Sequence, residues 1–421
     1  MPISQQELGR RLRAAREAYR MTQDDVARHL GMSRATVTQM ELGNRAITSL
    51  ELDRLAYLFG RDIREFLAET FHEEDTLVAL FRAHPDVVEH EEVVDALRRC
   101  LALGREVTNL ERLLSIDRDV GRIATYPLPA LQSTWNAVQQ GARVADEERR
   151  RLGLGIAPLA DVAEILETQG VRTAQANLPE DVSGLTLSEA SVGLFVVVNH
   201  RHHLLRRRFS YAHEYAHVLL DREHRGTISR TTDRDALIEV RANAFAAHFL
   251  MPDAGVRQFI AALGKGATNR QHAEVFDESG VVRALARAQP GSQTIQMYDV
   301  VQLAHYFEVS RLAALYRLHH VRLLTETELA YLKAQEEAGI GKELVAVLEL
   351  PEPDHEAARN AFRRRFVSLG LEALRRGEIT QAKLEELAQM VELQPEHLAR
   401  LLHDMGLDEG EGTGDVLIPE E

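Results

Sequence analysis

The sequence lacks cysteine pairs and long apolar runs. Its single cysteine, Cys100, excludes an intrachain disulfide framework and any zinc cluster built from cysteines. No apolar stretch approaches the roughly 18 residues that a membrane span requires, and the N-terminus has no basic and apolar segment of a secretory signal. We therefore expect a cytoplasmic protein without a membrane partner.

The chain as a whole also lacks an excess of basic charge. Its 65 acidic and 50 basic side chains give a formal net charge of −15. The first 61 residues differ, because ten arginines there outnumber seven acidic residues. We call residues 1–61 and the short segment that completes their helical bundle the head, and the remainder of the chain the body. A slightly basic head joined to an acidic body indicates that only the head binds a polyanion.

The length of 421 residues predicts several domains. We predict a mainly α protein with one small α+β domain. The predicted segments are a five-helix bundle at 1–70, a helical linker at 71–150, the α+β domain at 151–260, a helical extension with helix-turn-helix-like packing at 261–335, a C-terminal helical region at 336–407 and a disordered acidic tail at 408–421.

Strand patterns are confined to the middle of the chain. We predict short strands at 171–174, 182–187 and 192–199, where β-branched residues are frequent, and only helices from about 203 to 407. In the linker, apolar residues recur every three or four positions from Val93 to Leu114. This pattern favours a helix packed on its own protein, and the alternative is a helix pair that forms a homodimer.

Two runs of three arginines, 149–151 and 206–208, stand out in the acidic body. Glutamates precede the first run, so we predict that it lies on a solvated helix face. For the second run, which adjoins the HExxH helix, we predict that the arginines brace the neighbouring strand pair, and the alternative is that they hold a substrate.

The head has the layout of a helix-turn-helix. Thr22 and Ser33 are predicted N-caps of two successive helices, and Val37 and Met40 anchor the second of these to the core. Polar and small side chains are placed to read bases from the start of this helix, and others to bind phosphates and fix the register. The predicted base-reading residues are Arg34, Ala35, Thr38 and Gln39, and the predicted phosphate-binding residues are Gln23, Asn44 and Arg45.

With these residues in place, segment 6–68 resembles the Xre/lambda-repressor-like helix-turn-helix domain. The resemblance implies a double-stranded DNA operator as the partner. The alternative is a helical bundle that binds only protein, since this family also uses the fold for protein contacts.

The sharpest motif in the body is His213-Glu214-Tyr215-Ala216-His217, which has the pattern HExxH. Histidines four residues apart on a helix present both imidazoles to one ion, and the glutamate beside them is able to deprotonate a bound water. We therefore predict His213 and His217 as metal ligands and Glu214 as the catalytic base.

A catalytic zinc ion needs a third protein ligand and an open position. Glu239, 22 residues after His217, opens a second helical run, and Asn243 lies on the same face, where it can hydrogen-bond a ligand histidine from outside. We favour Glu239 as the third ligand. The alternatives left open by the sequence are His224, Asp235 and His248.

Residues 150–255 resemble the ImmA/IrrE family of zinc metallo-endopeptidases, on the strength of the strand pair, the HExxH block and the run that begins at Glu239. Two positions depart from the family pattern: Ala216 stands where glycine is more frequent, and Arg241 stands where an acidic residue is frequent. The resemblance implies a zincin-like domain with one Zn²⁺ per chain and cleavage of a protein partner, typically a repressor, in a stress or mobile-element response.

Three functions follow as hypotheses. The first is a DNA-binding regulator that carries a zinc endopeptidase. The second is a transcription factor whose zincin-like domain senses a ligand or a metal without turnover. The third treats the middle domain as a scaffold held by zinc, and the absence of an evident fourth ligand disfavours it.

Overall fold

A computed structural model describes residues 3–19, 21–71, 91–116, 123–189, 192–222, 226–233, 235–266, 271–277, 280–286, 293–351 and 355–404. The described chain is mainly helical with a small four-stranded sheet in the middle, as predicted. The predicted tail at 408–421 lies outside the described residues. None of the described helices combines the length and the apolar character that a bilayer span requires.

The head consists of five helices, which confirms the predicted bundle. They are α1 Gln5–Ala18, α2 Gln23–Leu30, α3 Arg34–Glu41, α4 Ser49–Leu58 and α5 Ile63–Leu67. The Thr22 hydroxyl accepts a hydrogen bond from the backbone N–H of Asp25, whose carboxylate accepts one from the backbone N–H of Thr22. Ser33 caps α3 in the same way, through the N–H of Thr36. Both predicted N-caps are confirmed.

The linker and the α+β domain follow as helices around one sheet. The elements are α6 Glu91–Leu113, α7 Thr134–Arg151, α8 Val162–Thr168, β1 Arg172–Ala176, β2 Val182–Glu189, β3 Gly193–Asn199, α9 Leu204–Leu220, β4 Gly226–Arg230 and α10 Leu237–Leu250. The strand order is β1-β3-β2-β4, with β1 parallel to β3 and the other pairs antiparallel.

The C-terminal part is helical except for one hairpin. It comprises α11 Asp253–Ala262, β5 Gln271–Asp277, β6 Gly280–Ala286, α12 Met297–Phe307, α13 Arg311–His320, α14 Glu326–Glu337, α15 Ile340–Val347, α16 His355–Arg375, α17 Gln381–Met390 and α18 Pro395–Asp404. The expectation of helices alone after residue 203 was wrong, because β4, β5 and β6 are strands of five to seven residues. Runs this short do not carry enough periodicity to separate strand from helix.

The sheet has two buried faces. Along β3, Val196 and Val198 belong to the hydrophobic core shared with α9 and α10, whereas Phe195 and Val197 belong to the core shared with α6 and the head. Alternate side chains of a strand point to opposite faces, which explains this division. One apolar cluster therefore runs without a break from the head, through α6, to the underside of the sheet.

The apolar residues of α6 are covered by the chain itself. Val93, Leu97 and Cys100 are buried in the cluster shared by the head and the sheet. Val107 and Leu110 are buried against the C-terminal helices α16 and α17. The first interpretation of the linker pattern is thus favoured, because a homodimer would have to use another surface.

Helices α7 and α10 approach very closely. A Cβ placed at Gly141 of α7 would lie 2.3 Å from the carbonyl oxygen of Arg241 and 2.8 Å from the backbone nitrogen of Phe245. Only glycine permits this separation. The contact fixes the position of α10, which carries Glu239.

In the first arginine run, Arg150 and Arg151 are exposed, as predicted, but Arg149 is not on the solvated face. Arg149 is buried and donates hydrogen bonds to the carbonyl groups of Gly155, Ala157 and Phe249. These three carbonyl groups meet at Arg149 only in the folded chain. The charges next to it in the sequence therefore do not predict its burial. In the second run, Arg207 contacts His200 after β3 and Gln175 of β1, whereas Arg208 donates to the carbonyl groups of Leu159 and Ala160.

Candidate metal centre and nucleic-acid interface

Two histidines of α9 and one glutamate of α10 converge on a single point. The Nε2 atoms of His213 and His217 lie 3.2 Å apart. Glu239 Oε2 lies 3.1 Å from His213 Nε2, and Glu239 Oε1 lies 3.3 Å from His217 Nε2. The three side chains are buried, with exposed fractions of 5% or less for each residue. The structure thus brings together the three residues predicted as ligands.

The outer nitrogen of each imidazole is held by an acceptor. His213 Nδ1 lies 3.0 Å from Asn243 Oδ1, and His217 Nδ1 lies 2.8 Å from Asp221 Oδ2. An oxygen acceptor at this distance places the ring proton on Nδ1, so that the lone pair of Nε2 points inward. Two such lone pairs and the carboxylate of Glu239 repel each other unless a cation lies between them.

The distances fit a metal ion. Ligand bonds of about 2.0–2.2 Å in tetrahedral geometry place neighbouring donor atoms roughly 3.3–3.6 Å apart. The three separations of 3.1, 3.2 and 3.3 Å between the donor atoms are close to that range. Two nitrogens and one oxygen leave a fourth tetrahedral position open. The donor set is therefore able to bind a divalent metal.

The charges around the three ligands also favour a cation. Burial lowers the pKa of His217, but the carboxylates of Asp221 and Glu239 more than offset this and raise that pKa to about 10. Burial raises the pKa of Glu239, but hydrogen bonds to the two imidazoles bring it down to about 2. The acidic groups thus stabilise positive charge at the point where the three side chains meet.

Glu214 has no exposed surface. Its Oε2 accepts a hydrogen bond of 2.8 Å from the Thr186 hydroxyl on β2. Its Oε1 has no partner of hydrogen-bonding geometry among the described residues. Burial raises the pKa of Glu214, against the opposing effect of the two histidines and of the Ser229 and Thr186 hydroxyls. The carboxyl group is therefore suited to accept a proton.

The absence of a side chain at Gly184 leaves room beside the free oxygen of Glu214. A Cβ at this position of β2 would lie 2.8 Å from Glu214 Oε1 and 2.9 Å from the carbonyl oxygen of Val197. Because the backbone oxygen cannot yield easily, any larger residue at position 184 would displace the strand or the glutamate.

A pair of charged residues behind His217 was missed in the sequence. Asp221 accepts from His217 with one carboxylate oxygen and from the Arg241 guanidinium with the other. Arg241, the position that departs from the family pattern, therefore supports a ligand indirectly. The signal was available, because Asp221 follows His217 by four residues, the same spacing that places the two histidines on one face.

The tyrosines of α9 point away from the metal centre. Tyr215 donates to the buried carboxylate of Glu148 on α7, which also accepts from Tyr126 and Arg151. The Tyr211 hydroxyl lies 3.4 Å from the Ala174 carbonyl oxygen. Both side chains are core residues that fix α9 against its neighbours.

The alternative third ligands do not join this cluster. Asp235 is exposed, and His248 lies 2.8 Å from the guanidinium of buried Arg317. His224 lies outside the described residues. Among the candidates within the described residues, Glu239 is thus the one whose carboxylate meets the Nε2 atoms of both histidines.

The predicted DNA-reading residues lie on and around α3. Arg34, Ala35, Gln39 and Asn44 are exposed, and Gln23, Thr38 and Arg45 are half-buried. Several of them bind each other. The Thr38 hydroxyl donates to Gln23 Oε1 over 2.9 Å, and the Asn44 amide donates to Gln39 Oε1 over 3.0 Å.

Acidic neighbours hold other polar groups of this surface. Gln23 donates to Glu41 over 2.8 Å, and the guanidinium of Arg45 binds Glu51 at 2.7 Å. Arg34 lies 3.4 Å from Asp24, but both side chains are more than half exposed, so this ion pair contributes little. Arg34 is therefore able to bind a ligand with little loss of ion-pair energy, whereas Arg45 must first give up its ion pair with Glu51.

Two family models match the chain. A model described as a helix-turn-helix domain matches residues 7–67, and a model described as the IrrE N-terminal-like domain matches residues 166–319. The second match extends from α8 through α13 and includes all residues of the metal centre. No curated protein matches the chain.

Proposed function

Because the chain joins a helix-turn-helix domain to an ImmA/IrrE-type domain, we propose that it is a DNA-binding transcriptional regulator carrying a zinc-dependent endopeptidase. Its substrate is a peptide bond in a partner protein, a repressor, and its role is in a stress or mobile-element response. The proposed metal ligands are His213, His217 and Glu239, and the proposed base is Glu214.

The observation that carries the proposal is the pairing of a three-donor cluster with an adjacent carboxylate. The donor separations of 3.1–3.3 Å suit one tetrahedral cation with one position left open. Structural zinc sites instead use four protein ligands. An open position beside a base is the arrangement that hydrolysis requires.

A bound zinc ion would supply Lewis acidity, which polarises a scissile carbonyl and acidifies water towards a pKa of about 7. The chain's own contribution is proton transfer. Thr186 holds Oε2 of Glu214 and so orients the carboxylate, while Oε1 accepts the proton of the attacking water. The raised pKa of Glu214 suits a group that must then pass this proton to the leaving amine.

The head would bring this activity to a chosen operator. Arg34, Ala35, Thr38 and Gln39 are the proposed base-reading residues, and Gln23, Asn44 and Arg45 are the proposed phosphate contacts. The five helices and their caps support the proposal by holding α3 at the surface of the head.

The test of the endopeptidase is the variant Glu214→Gln, which keeps the size of the side chain but cannot accept a proton. We expect unchanged zinc content and a loss of cleavage of about 10²–10⁴-fold with purified co-encoded repressors. Chelator should abolish cleavage by the unmodified protein. The exposed Glu343→Gln on α15 is the matched control and should cleave normally.

A sensor without turnover is the second candidate, and the burial of the centre favours it. Glu214 has no exposed surface and the three donor residues expose at most 5%, which restricts entry of a polypeptide. On this alternative, Glu214→Gln leaves regulation of the target genes unchanged, whereas Glu239→Gln alters it by removing the metal. Regulation that is lost in Glu214→Gln, with DNA affinity retained, would reject the sensor.

A further inference from the structure

A groove between the head and the linker helix is separate from both proposed sites. It lies among α4, α6 and α17 and has a volume of about 730 Å³. Pockets of roughly 300–1,000 Å³ are the size that binds small molecules. We propose that this groove binds a small phosphate-bearing molecule.

Arginines from two separate elements line the groove. The head contributes Arg54 and Arg61, and α6 contributes Arg98, Arg99 and Arg105. Positions 98, 99, 102, 105, 106 and 109 of α6 recur every three or four residues, so they share one face of the helix. One face of α6 is thus turned towards the head and carries three arginines together with the carboxylates of Asp95 and Glu106.

Three of these arginines are almost completely buried. The exposed fractions are 4% for Arg61, 6% for Arg98 and 8% for Arg105. A guanidinium keeps its charge when it is buried, and a buried charge is costly unless it is paired. Arg105 donates to the carbonyl oxygen of Gly60, which has no net charge, and its nearest carboxylate, on Glu65, lies 3.8 Å away.

The carboxylates of the groove are mostly engaged by other cations. Asp62 binds Arg64 at 2.7 Å, and both Glu106 and Glu386 bind Lys383, at 3.2 and 3.1 Å. The cations in these pairs, on α5 and α17, do not line the groove.

Of the two remaining carboxylates, Asp95 binds Arg98 at 2.9 Å and Asp53 is exposed on α4. No ion pair or hydrogen bond of the Arg54 or Arg99 side chain is found within the described ranges. Arg54 on α4 and Arg99 on α6 are therefore available to an anion that enters the groove, whereas Arg105 already has Gly60 and Glu65 as partners.

The arginines of the groove suit a ligand with phosphate groups better than a carboxylate ligand or duplex DNA. Guanidinium groups bind phosphate through two parallel hydrogen bonds, and a di- or triphosphate spans donors on both walls. DNA meets exposed side chains, whereas Arg98 and Arg105 lie at the buried floor. Tyr57, half exposed on α4, lines the same groove and offers a surface for a base to stack on.

The test is calorimetric titration of the full chain with inorganic pyrophosphate and, separately, with ADP. We expect saturable binding of one molecule per chain. Arg99 is exposed, so the substitution Arg99→Gln should not disturb the fold. We expect it to weaken binding at least about tenfold, because one charge-assisted hydrogen bond to the phosphate is lost. Arg150→Gln, an exposed arginine of α7 outside the groove, should leave it unchanged.

Two arms separate the sources of phosphate. If ADP binds more tightly than pyrophosphate and Tyr57→Ala removes the difference, the ligand is a nucleotide. Equal affinities indicate a phosphate-bearing molecule without a base. Either result supports the proposal.

Three outcomes would overturn the proposal. The first is no saturable binding at millimolar concentration. The second is binding that Arg99→Gln and Arg150→Gln weaken equally, as expected for diffuse charge attraction. The third is weaker binding of a mixed-sequence DNA duplex by Arg99→Gln and Arg54→Gln without any binding of pyrophosphate or ADP, which would assign the groove to the DNA backbone.

Discussion

The head and the metal centre differ in the burial of their polar residues and in how far apart in the sequence the contacting residues lie. On the head, the predicted DNA-reading side chains are at the surface, and those that bind each other, such as Thr38 with Gln23, are 15 residues apart or fewer. At the metal centre, buried side chains four residues apart touch within α9, and the contacts between different elements join residues 20 to 30 positions apart. A substitution at an exposed head residue such as Arg34 should thus disturb few partners, whereas one in the centre should disturb several.

The largest effect is expected from the carboxylate that closes the metal centre. Glu239→Gln removes the charge that balances a divalent ion and leaves two imidazoles, which are too few ligands for a zincin site. We expect the purified variant to lose stoichiometric zinc, measured by plasma emission spectrometry, while operator affinity is unchanged. Zinc retained at one per chain would show that another group binds the metal.

Asp221 tests a residue that contacts the ligand His217 but not the metal position itself. Asp221→Asn keeps the shape but weakens the hold on His217 Nδ1 and leaves Arg241 without its carboxylate. We expect zinc affinity to fall about 10–100-fold, as measured by competition with a chelating dye. The exposed Asp235→Asn is the control, and an equal loss there would mean that overall charge matters instead of contact.

Arg34 tests whether the head acts independently of the centre. Arg34→Ala removes an exposed donor from the start of α3, and we expect a loss of about 1–3 kcal/mol in specific operator binding. Zinc content should not change. Fluorescence anisotropy with operator and scrambled duplexes measures the effect, and equal losses on both duplexes would make Arg34 a phosphate contact.

The smallest effect is expected from a helix cap of the head. Thr22→Ala removes the hydroxyl that accepts from the N–H of Asp25, and we expect a loss of about 1 kcal/mol in the free energy of unfolding. Urea unfolding measures it. The equivalent substitution Thr325→Ala, at the capping box of α14, serves as the control from the body and should cost a similar amount.

The sequence predicted the parts of both regions that depend on local spacing. The caps at Thr22 and Ser33 follow from residue type and position, and the two histidines follow from a spacing of four on one helix. Glu239 could be proposed because it opens a second amphipathic run, although Asp235 and His248 had to be weighed against it.

The remaining contacts depend on how distant segments meet. Thr186 reaches Glu214 only because β2 lies under α9, and Arg241 reaches Asp221 only because α10 packs beside that helix. Neither residue has a local pattern that marks it. The same reason explains why β4 was missed, since its pairing with β2 creates the strand.

The hydrophobic cluster shared by the head and the underside of the sheet has a practical consequence for engineering. One way to change the operator specificity is to replace residues 1–70 with the helix-turn-helix domain of another protein. Val93 and Leu97 of α6 would then pack against side chains that differ from those of the native head. A chimera that also carries α6, together with Phe195 and Val197 of β3, retains the native junction and should remain monodisperse.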